Sequence, residues 1–179
     1  MYSEQYLEEL KNLHYDKKRP QGFGGKVKDL GHAYNYINYW IPSSCLDYGC
    51  GKGVILSHLT EKFPNTEFIG YDPALPMWSN KPKNKFDMVF SNDVLEHIEP
   101  EFIQDVLADI NNYATKYIWL RIDTQPARKQ LSDGRYAHLI IEDKDWWLET
   151  LQHTINGSIV YSEVNKKGKL DVAIEETYT

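Results

Sequence analysis

The chain has 179 residues, of which 41% are apolar and 26% are charged, a balance typical of a single globular domain. Its formal net charge of −6 argues against a surface built to attract nucleic-acid backbones, although a local basic patch could still bind one. No apolar run approaches the roughly 18 residues of a membrane span, and the N-terminal region lacks the apolar core of a signal peptide. We therefore expect a cytoplasmic protein with no DNA partner and no membrane partner.

The first 42 residues predict two helices joined by a loop. Apolar residues recur at helical spacing over residues 3–14 and again over residues 27–40. Between them lies the glycine-rich stretch RPQGFGGK, residues 19–26. We expect residues 1–42 to form a helical lid or cap, with the loop as a mobile closing element. The alternative is a plain flexible linker. The loop residues that would close over a ligand are Phe23, Gly24 and Lys26.

From residue 43 onward, short apolar strands alternate with helices. Strands are predicted in CLDY, EFIGYD, KFDMVFSND and YIWLRID, and helices over residues 54–63, over residues 101–113 and from about residue 143. This alternation predicts a parallel sheet covered by helices. The segments SIVYSEV and LDVAIEETY alternate apolar and polar residues around NKKGK, which predicts an antiparallel hairpin. The fold class is therefore α/β, a three-layer Rossmann-like sandwich, with residues 43–179 as its core and residues 1–179 as one domain.

Three glycines at alternate positions, Gly49, Gly51 and Gly53, separate the first strand from its helix in CLDYGCGKGVILSHL. Such a loop is expected to bring free backbone N–H groups to the carboxyl edge of the sheet and to let a ligand lie against bare backbone. Asp72 follows Gly51 by 21 residues, where an acid is expected to hold ribose hydroxyls. Asp47 would repel a pyrophosphate but suits a ligand with a positive amino group. These features favour S-adenosylmethionine (SAM) over a nicotinamide dinucleotide.

Three motifs resemble those of the class I SAM-dependent methyltransferases: LDYGCGKG at 46–53, YDPA at 71–74 and FDMVFSNDVLEHI at 86–98. Residues 121–147 are similar to a small bacterial and phage subgroup. The resemblance implies SAM as cofactor, S-adenosylhomocysteine (SAH) as product, and methyl transfer to an oxygen or nitrogen of a small-molecule acceptor. The cofactor-binding residues that it implies are Asp47, Gly49, Cys50, Gly51, Asp72, Pro73, Ala74, Asn92, Asp93 and Val94.

One segment departs from the family pattern. Only 13 residues separate Asp72 from Phe86, and three of them are prolines. Most relatives place a helix and another strand here, and prolines make both improbable. We therefore expect a sheet that is cut back at this edge. Trp78 would either cover the adenine ring or close the edge of the core.

Polar and aromatic residues on the loops at the carboxyl edge are candidates for acceptor binding and proton transfer. The candidates are Asn92, His97, Asp123, Arg128, His138 and Trp146. We take His138 and Asn92 as the catalytic candidates. Asp93, Glu96 and His97 also have a D-x-x-E-H spacing that His138 could complete as a Mg²⁺ or Mn²⁺ site. Because this motif is common in metal-free relatives, no metal is assigned.

Other functions stay open. The chain could bind SAM or SAH without turnover, or it could be a metal-dependent RNA-end methyltransferase that uses the carboxylate–histidine cluster. Amino methyltransferases of DNA bases are disfavoured, because residues 91–94 read SNDV and lack the Asn/Asp–Pro–Pro–aromatic signature. Cytosine carbon-5 enzymes are disfavoured because neither Cys45 nor Cys50 follows a proline. Both cysteines are expected to be free thiols, since an extended segment holds them too far apart to bridge.

Overall fold

The computed structural model describes residues 2–15, 30 and 32–176. In chain order the elements are α1 (Glu4–His14), α2 (Ala33–Trp40), β1 (Ser44–Tyr48), α3 (Val54–Lys62), β2 (Glu67–Tyr71), β3 (Phe86–Asn92), α4 (Ile103–Tyr113), β4 (Ala114–Asp123), α5 (Lys144–Thr154), β5 (Ser158–Val164) and β6 (Lys169–Glu175). Among the described residues, no helix combines the length and apolar character that a membrane span requires.

The six strands form one sheet in the order β2-β1-β3-β4-β6-β5. The pairings β1–β2, β1–β3 and β3–β4 are parallel, whereas β4–β6 and β5–β6 are antiparallel. This confirms the predicted parallel sheet with an antiparallel C-terminal hairpin. In a parallel sheet the carboxyl ends of β1, β2, β3 and β4 meet at one edge, which places the segments that follow these strands side by side.

Alternate residues of each strand pack into two separate cores, so the sheet lies between two helical layers. On one face, Cys45, Met88 and Trp119 pack with α2 and α3. On the other face, Leu46 and Val89 pack with α4 and α5. The central strands are apolar on both faces, as expected for a sheet that is covered on both sides. Cys45 and Cys50 are both buried free thiols, in agreement with the sequence prediction.

The cut-back edge of the sheet is confirmed. β2 is the last strand on its side, and residues 72–85 form turns and bends without a helix or strand. Trp78 packs there against the backbone of Gly53, where an added Cβ would lie 2.8 Å from its ring. Trp78 does not line the cavity at the carboxyl edge of the sheet, so the structure gives no support to the adenine-covering role, and the role at the edge of the core stays a prediction.

The predicted second helix is shorter than its sequence pattern suggested. Within the described residues it begins at Ala33, and Leu30 lies outside it. Glycine at position 31 is costly inside a helix, which is consistent with this late start. The helix ends where Ile41 adopts the left-handed conformation, φ 50°, just before Pro42. The proposed lid residues Phe23, Gly24 and Lys26 lie outside the described residues.

Candidate functional site

A cavity of about 810 Å³ opens at the carboxyl edge of the parallel strands. Its walls come from the glycine loop after β1, the ends of β2, β3 and β4, helix α1, residues 125–129, residues 137–138 and the start of β6. This volume is in the range of sites that bury a cofactor or a drug-sized molecule. The position is the crevice in which α/β sheets of this kind bind their ligands.

The glycine loop is tied to the end of β2 by its own amides. The N–H groups of Gly49 and Cys50 donate to the Tyr71 carbonyl at 2.7 and 3.1 Å. The N–H of Gly51 donates to Asp72 Oδ2 at 2.9 Å. The expectation that these amides stand open to a ligand is therefore wrong. The loop turns its amides toward β2 because the edge strand offers acceptors at that point, and it lines the cavity with the rest of its backbone.

Gly49 is required by packing as well as by backbone conformation. Its φ is +86°, a region that favours glycine. An added Cβ would lie 2.4 Å from Cγ2 of Val94, a residue that follows β3. The absent side chain lets the segments after β1 and β3 approach each other at the floor of the cavity.

Two acids at the end of the glycine loop differ in their surroundings. Asp72 accepts from the N–H groups of Gly51 and Ala74 at 2.9 Å each, so its carboxylate is fixed in position. Asp47 is 2% exposed, and its Oδ2 has no hydrogen-bond partner among the described residues. Burial, reinforced by the charge of Asp72, raises the pKa of Asp47 well above its ordinary value. A carboxylate in this state is complementary to a cationic ligand group.

The last residue of β3 and the residues that follow it form the floor of the cavity. Asn92 lines it, and its buried Oδ1 has no hydrogen-bond partner among the described residues. Asp93 has a positive φ of 56° and donates its N–H to the Arg121 carbonyl at 2.9 Å. Its carboxylate pairs with Lys169 at 2.9 Å, and Lys169 also pairs with Asp123 at 2.8 Å. The β4–β6 register places Lys169 opposite Asp123, so the hairpin supplies the cation.

Two histidines meet at the other end of the cavity. His97 and His138 have ring centroids 4.8 Å apart in an edge-to-face arrangement. The Nδ1 of His97 lies 2.6 Å from the Ala137 carbonyl, and the Nδ1 of His138 lies 2.6 Å from the Gln125 carbonyl. Because a carbonyl only accepts, both Nδ1 atoms are the protonated ones. In the neutral rings, Nε2 therefore carries the lone pair.

Glu96 lies beside these histidines and is completely buried. Neither oxygen of its carboxyl group has a hydrogen-bond partner among the described residues. Burial and the neighbouring Asp93 hold the pKa of Glu96 well above its ordinary value. Burial and the nearby His138 lower the pKa of His97 to about 4, so this ring is neutral at physiological pH.

Helix α1 covers the histidine end of the cavity. Tyr6 donates its hydroxyl to the His97 carbonyl. Ser3 donates its N–H and its hydroxyl to the Glu99 carboxylate at 2.8 and 2.7 Å. Farther along the helix, Glu9 accepts from the N–H and hydroxyl of Ser132 at 2.9 and 2.5 Å. These bonds fasten α1 both to the segment after β3 and to residues 131–137.

Most of the predicted cofactor and catalytic residues come together. Those that line the cavity are Asp47, Gly49, Cys50, Gly51, Asp72, Pro73, Asn92, Asp93, Val94 and His138. Ala74 is the exception. Its side chain packs against α1 in a small apolar cluster, and only its N–H reaches Asp72.

The acceptor candidates divide in the same way. His97, Asp123 and Arg128 line the cavity, whereas Trp146 lies on α5 against the sheet core. The sequence placed Trp146 on a loop, but α5 is capped by Asp143 and begins at Lys144, so Trp146 lies within the helix. His14 and Lys169 line the cavity and were not singled out in the sequence. Lys169 could have been found from its place at the start of a strand paired with β4; His14 carries no local signal.

A family model described as a methyltransferase domain matches residues 7–163. The chain belongs to this methyltransferase family. The fold and the enzyme class expected from the glycine loop are therefore confirmed. A comparison with functionally curated proteins finds no match.

Solved structures share the fold of this methyltransferase at low sequence identity. One is a Burkholderia thailandensis 1,6-didemethyltoxoflavin-N1-methyltransferase with its substrate and SAH bound: TM-score 0.71, 16% identity, covering 99% of this chain and 92% of that one. Another is the magnesium protoporphyrin IX methyltransferase of Synechocystis with bound SAM: TM-score 0.61, 16% identity, 96% and 97% coverage. A third is mitomycin 7-O-methyltransferase: TM-score 0.69, 11% identity, 94% of this chain and 60% of that one.

The site of the methyltransferase fits SAM by its own chemistry. The buried Asp47 oxygen without a hydrogen-bond partner is complementary to an ammonium group. The fixed Asp72 carboxylate presents acceptor capacity to hydroxyl groups. Gly49 lets Val94 pack against the glycine loop beside these acids. Asp47, Gly49 and Asp72 line the same cavity as His97 and His138.

Proposed function

We propose that the protein transfers the methyl group of SAM to an oxygen or nitrogen of a small-molecule acceptor. The observation that carries this proposal is the Asp47 carboxyl group, which is buried in the cavity wall without a partner for Oδ2. A buried acid of this kind is unfavourable unless a ligand compensates it. The amino group of the cofactor would supply that compensation.

The cofactor half of the site would be built from residues that are already in position. Asp47 would accept from the cofactor ammonium group, and Asp72 would accept from the ribose hydroxyls while its loop hydrogen bonds persist. Pro73 would border the adenine. Asn92 would hold a polar group near the reacting methyl through its buried Oδ1. When bound, SAM supplies an electrophilic methyl group on a sulfonium.

The acceptor half would be the end lined by His97 and His138. The acceptor's lone pair forms the new bond to the methyl carbon as the carbon–sulfur bond breaks, and sulfur keeps that electron pair to give SAH. His138 Nε2 would take the proton lost by a hydroxyl or ammonium acceptor. Its Nδ1–H bond to the Gln125 carbonyl holds the ring in the tautomer that can accept.

Small-molecule acceptors are favoured by the enclosure of this end. Helix α1, with residues 131–137, covers it through the Ser3–Glu99 and Glu9–Ser132 hydrogen bonds. We therefore propose that residues 1–42 act as a cap on the core of residues 43–179. Two proteins of the same fold are named for small-molecule acceptors, 1,6-didemethyltoxoflavin and mitomycin.

The test is calorimetric titration of SAM and SAH into the wild type, Asp72→Ala and a control, Asp145→Asn. Asp145 lies in the first turn of α5, away from the cavity. Binding to the wild type and the control with loss in Asp72→Ala would support the proposal and justify an acceptor screen. No binding to the folded wild type would overturn it. Binding without turnover on any screened acceptor would favour the non-catalytic alternative.

A further inference from the structure

We propose that Glu96, His97 and His138 bind a divalent transition-metal ion at the acceptor end of the cavity. Suitable ligand atoms of these three residues all lie within 4.8 Å of one another. The inference rests on the geometry of this cluster and deepens the proposed function by adding an ion where the acceptor would sit. Its test is independent of cofactor binding.

Both imidazoles are held in the form that a metal ion requires. Each Nδ1–H donates to a backbone carbonyl, that of Ala137 for His97 and that of Gln125 for His138. Metal-binding histidines typically donate their second ring nitrogen in this way, which fixes the tautomer and the ring orientation. The Nε2 atoms are then the coordinating nitrogens. The carbonyls lie on the segments that frame the cavity, so the scaffold itself orients both rings.

Glu96 supplies the third ligand, and an ion would provide the polar partner that its buried carboxyl group lacks among the described residues. It is fully buried, lines the cavity, and neither carboxyl oxygen has a hydrogen-bond partner among the described residues. A buried carboxyl group in that state is costly. Its main chain is held firmly, because the N–H groups of Leu139 and Ile140 both donate to the Glu96 carbonyl at 2.8 and 3.1 Å. This contact joins the Glu96 segment to the His138 segment.

To bind one ion, the three ligand atoms would have to move somewhat closer together. Ligand atoms about 2.1 Å from an ion in tetrahedral geometry are about 3.4 Å apart. The widest separation in the cluster, at most 4.8 Å, would therefore close by about 1.4 Å. The terminal torsion of Glu96 is broad, so its side chain can contribute to this contraction.

The surrounding charges are compatible with a cation. Lys169 is one of the positive groups that line the cavity, and it is paired with Asp93 and Asp123 at 2.9 and 2.8 Å. Two imidazoles and one carboxylate suit Zn²⁺, Co²⁺ or Mn²⁺, whereas Mg²⁺ prefers oxygen ligands throughout. Three protein ligands leave at least one position for an acceptor oxygen. With the ion bound, His138 Nε2 is a ligand and no longer serves as the base. The ion would instead lower the pKa of a bound hydroxyl, whose proton would leave to solvent before its oxygen attacks the methyl carbon.

The experiment uses full-length protein stripped of metal with a chelator. Zn²⁺, Mn²⁺ and Mg²⁺ are titrated separately by calorimetry, and Co²⁺ is followed by its visible absorption. Wild type is compared with Glu96→Gln and His138→Gln, and with His153→Gln as a matched control. His153 is 73% exposed on α5 and does not line the cavity. Circular dichroism and SAH titration on each protein show whether the fold and the cofactor half are intact.

The expected result is one equivalent of Zn²⁺ or Co²⁺ bound by the wild type and by His153→Gln. Affinity falls at least about tenfold in Glu96→Gln and His138→Gln, as loss of one ligand requires. Absence of a single stoichiometric site in the folded wild type would overturn the proposal, and so would equal affinity in all four proteins. SAH binding separates the two proposals: metal binding without SAH binding would sink the proposed function alone, and the reverse would sink the metal site alone.

Discussion

Asp47→Asn should make the ligand-free protein more stable while weakening its binding of SAH. The wild-type carboxyl group is 2% exposed with Oδ2 unpaired, and burial followed by the charge of Asp72 raises the pKa of Asp47 well above its ordinary value. Leaving a buried polar group without a partner costs about 1–3 kcal/mol, and more when the group is charged, so a neutral amide of the same shape removes the part of the cost that comes from the charge. For a domain of this size, a gain of that order raises Tm by about 2–4 °C per kcal/mol.

Binding should change in the opposite direction. The variant loses a hydrogen bond to a charged group, worth about 1.5–3 kcal/mol, which corresponds to about 10- to 150-fold weaker SAH affinity. Urea unfolding and calorimetry on the same samples measure both effects. A variant that is less stable than the wild type, or that binds SAH equally well, would refute the reasoning, because both effects come from one uncompensated buried acid.

The pH dependence provides an independent check on the same residue. Because the folded-state pKa is raised above the unfolded value of 3.8, the folded protein retains a proton that the unfolded chain releases. The destabilisation is therefore absent below pH 3.8 and grows as pH rises toward the folded pKa. The stability advantage of Asp47→Asn should shrink as pH is lowered from 7 toward 4. An advantage that is constant over this range would mean that ionisation is not its cause.

Three further substitutions test other parts of the structure. Gly49→Ala should cost about 2–4 kcal/mol in urea unfolding, because it adds a positive-φ penalty to a steric clash, and it should also reduce SAH binding. Arg121→Met leaves the buried Asp171 without its bidentate partner and should lower the free energy of unfolding by about 3–5 kcal/mol in the same assay. Burial opposes ionisation of Asp87, but hydrogen bonds from Lys116 and Ser43 lower its pKa to about 2. Asp87→Asn should therefore cost about 1 kcal/mol above pH 4, after allowance for solvent screening, and the difference should vanish as pH falls through 2.

The fold could be predicted where the sequence pattern is local. Ser3 caps α1 by accepting from the Tyr6 N–H, and Asp143 caps α5 in the same manner, as side chains at those positions usually do. The prolines after Asp72 predicted the missing edge elements because proline disrupts both helix and strand. The glycine loop and the acid one strand later correctly predicted residues that line one cavity. Each of these sequence features links residues that lie within about 20 positions of one another.

The prediction that the loop amides are free was wrong because their hydrogen-bond partners are set by the pairing of β1 with β2. An N–H in a glycine loop seeks the nearest acceptor, and the parallel register of β1 with β2 brings the Tyr71 carbonyl and Asp72 to it. Sequence spacing shows that Asp72 is available but not that it faces the loop. The ribose-binding role proposed for Asp72 is thus combined with a structural one, and Asp72→Ala should cost stability as well as affinity.

The acceptor end depends on contacts between distant parts of the chain. Ser3 reaches Glu99 across 96 residues, and Glu9 reaches Ser132 across 123. No local pattern encodes such pairs, which is why the sequence pointed to the cofactor and left the acceptor open. Helix α1 also reaches the cofactor half, because His14 lies 3.9 Å from Asp72 and Ala74 packs against the helix. Changes in α1 that break the two long-range contacts should therefore loosen the histidine end and also weaken SAH binding.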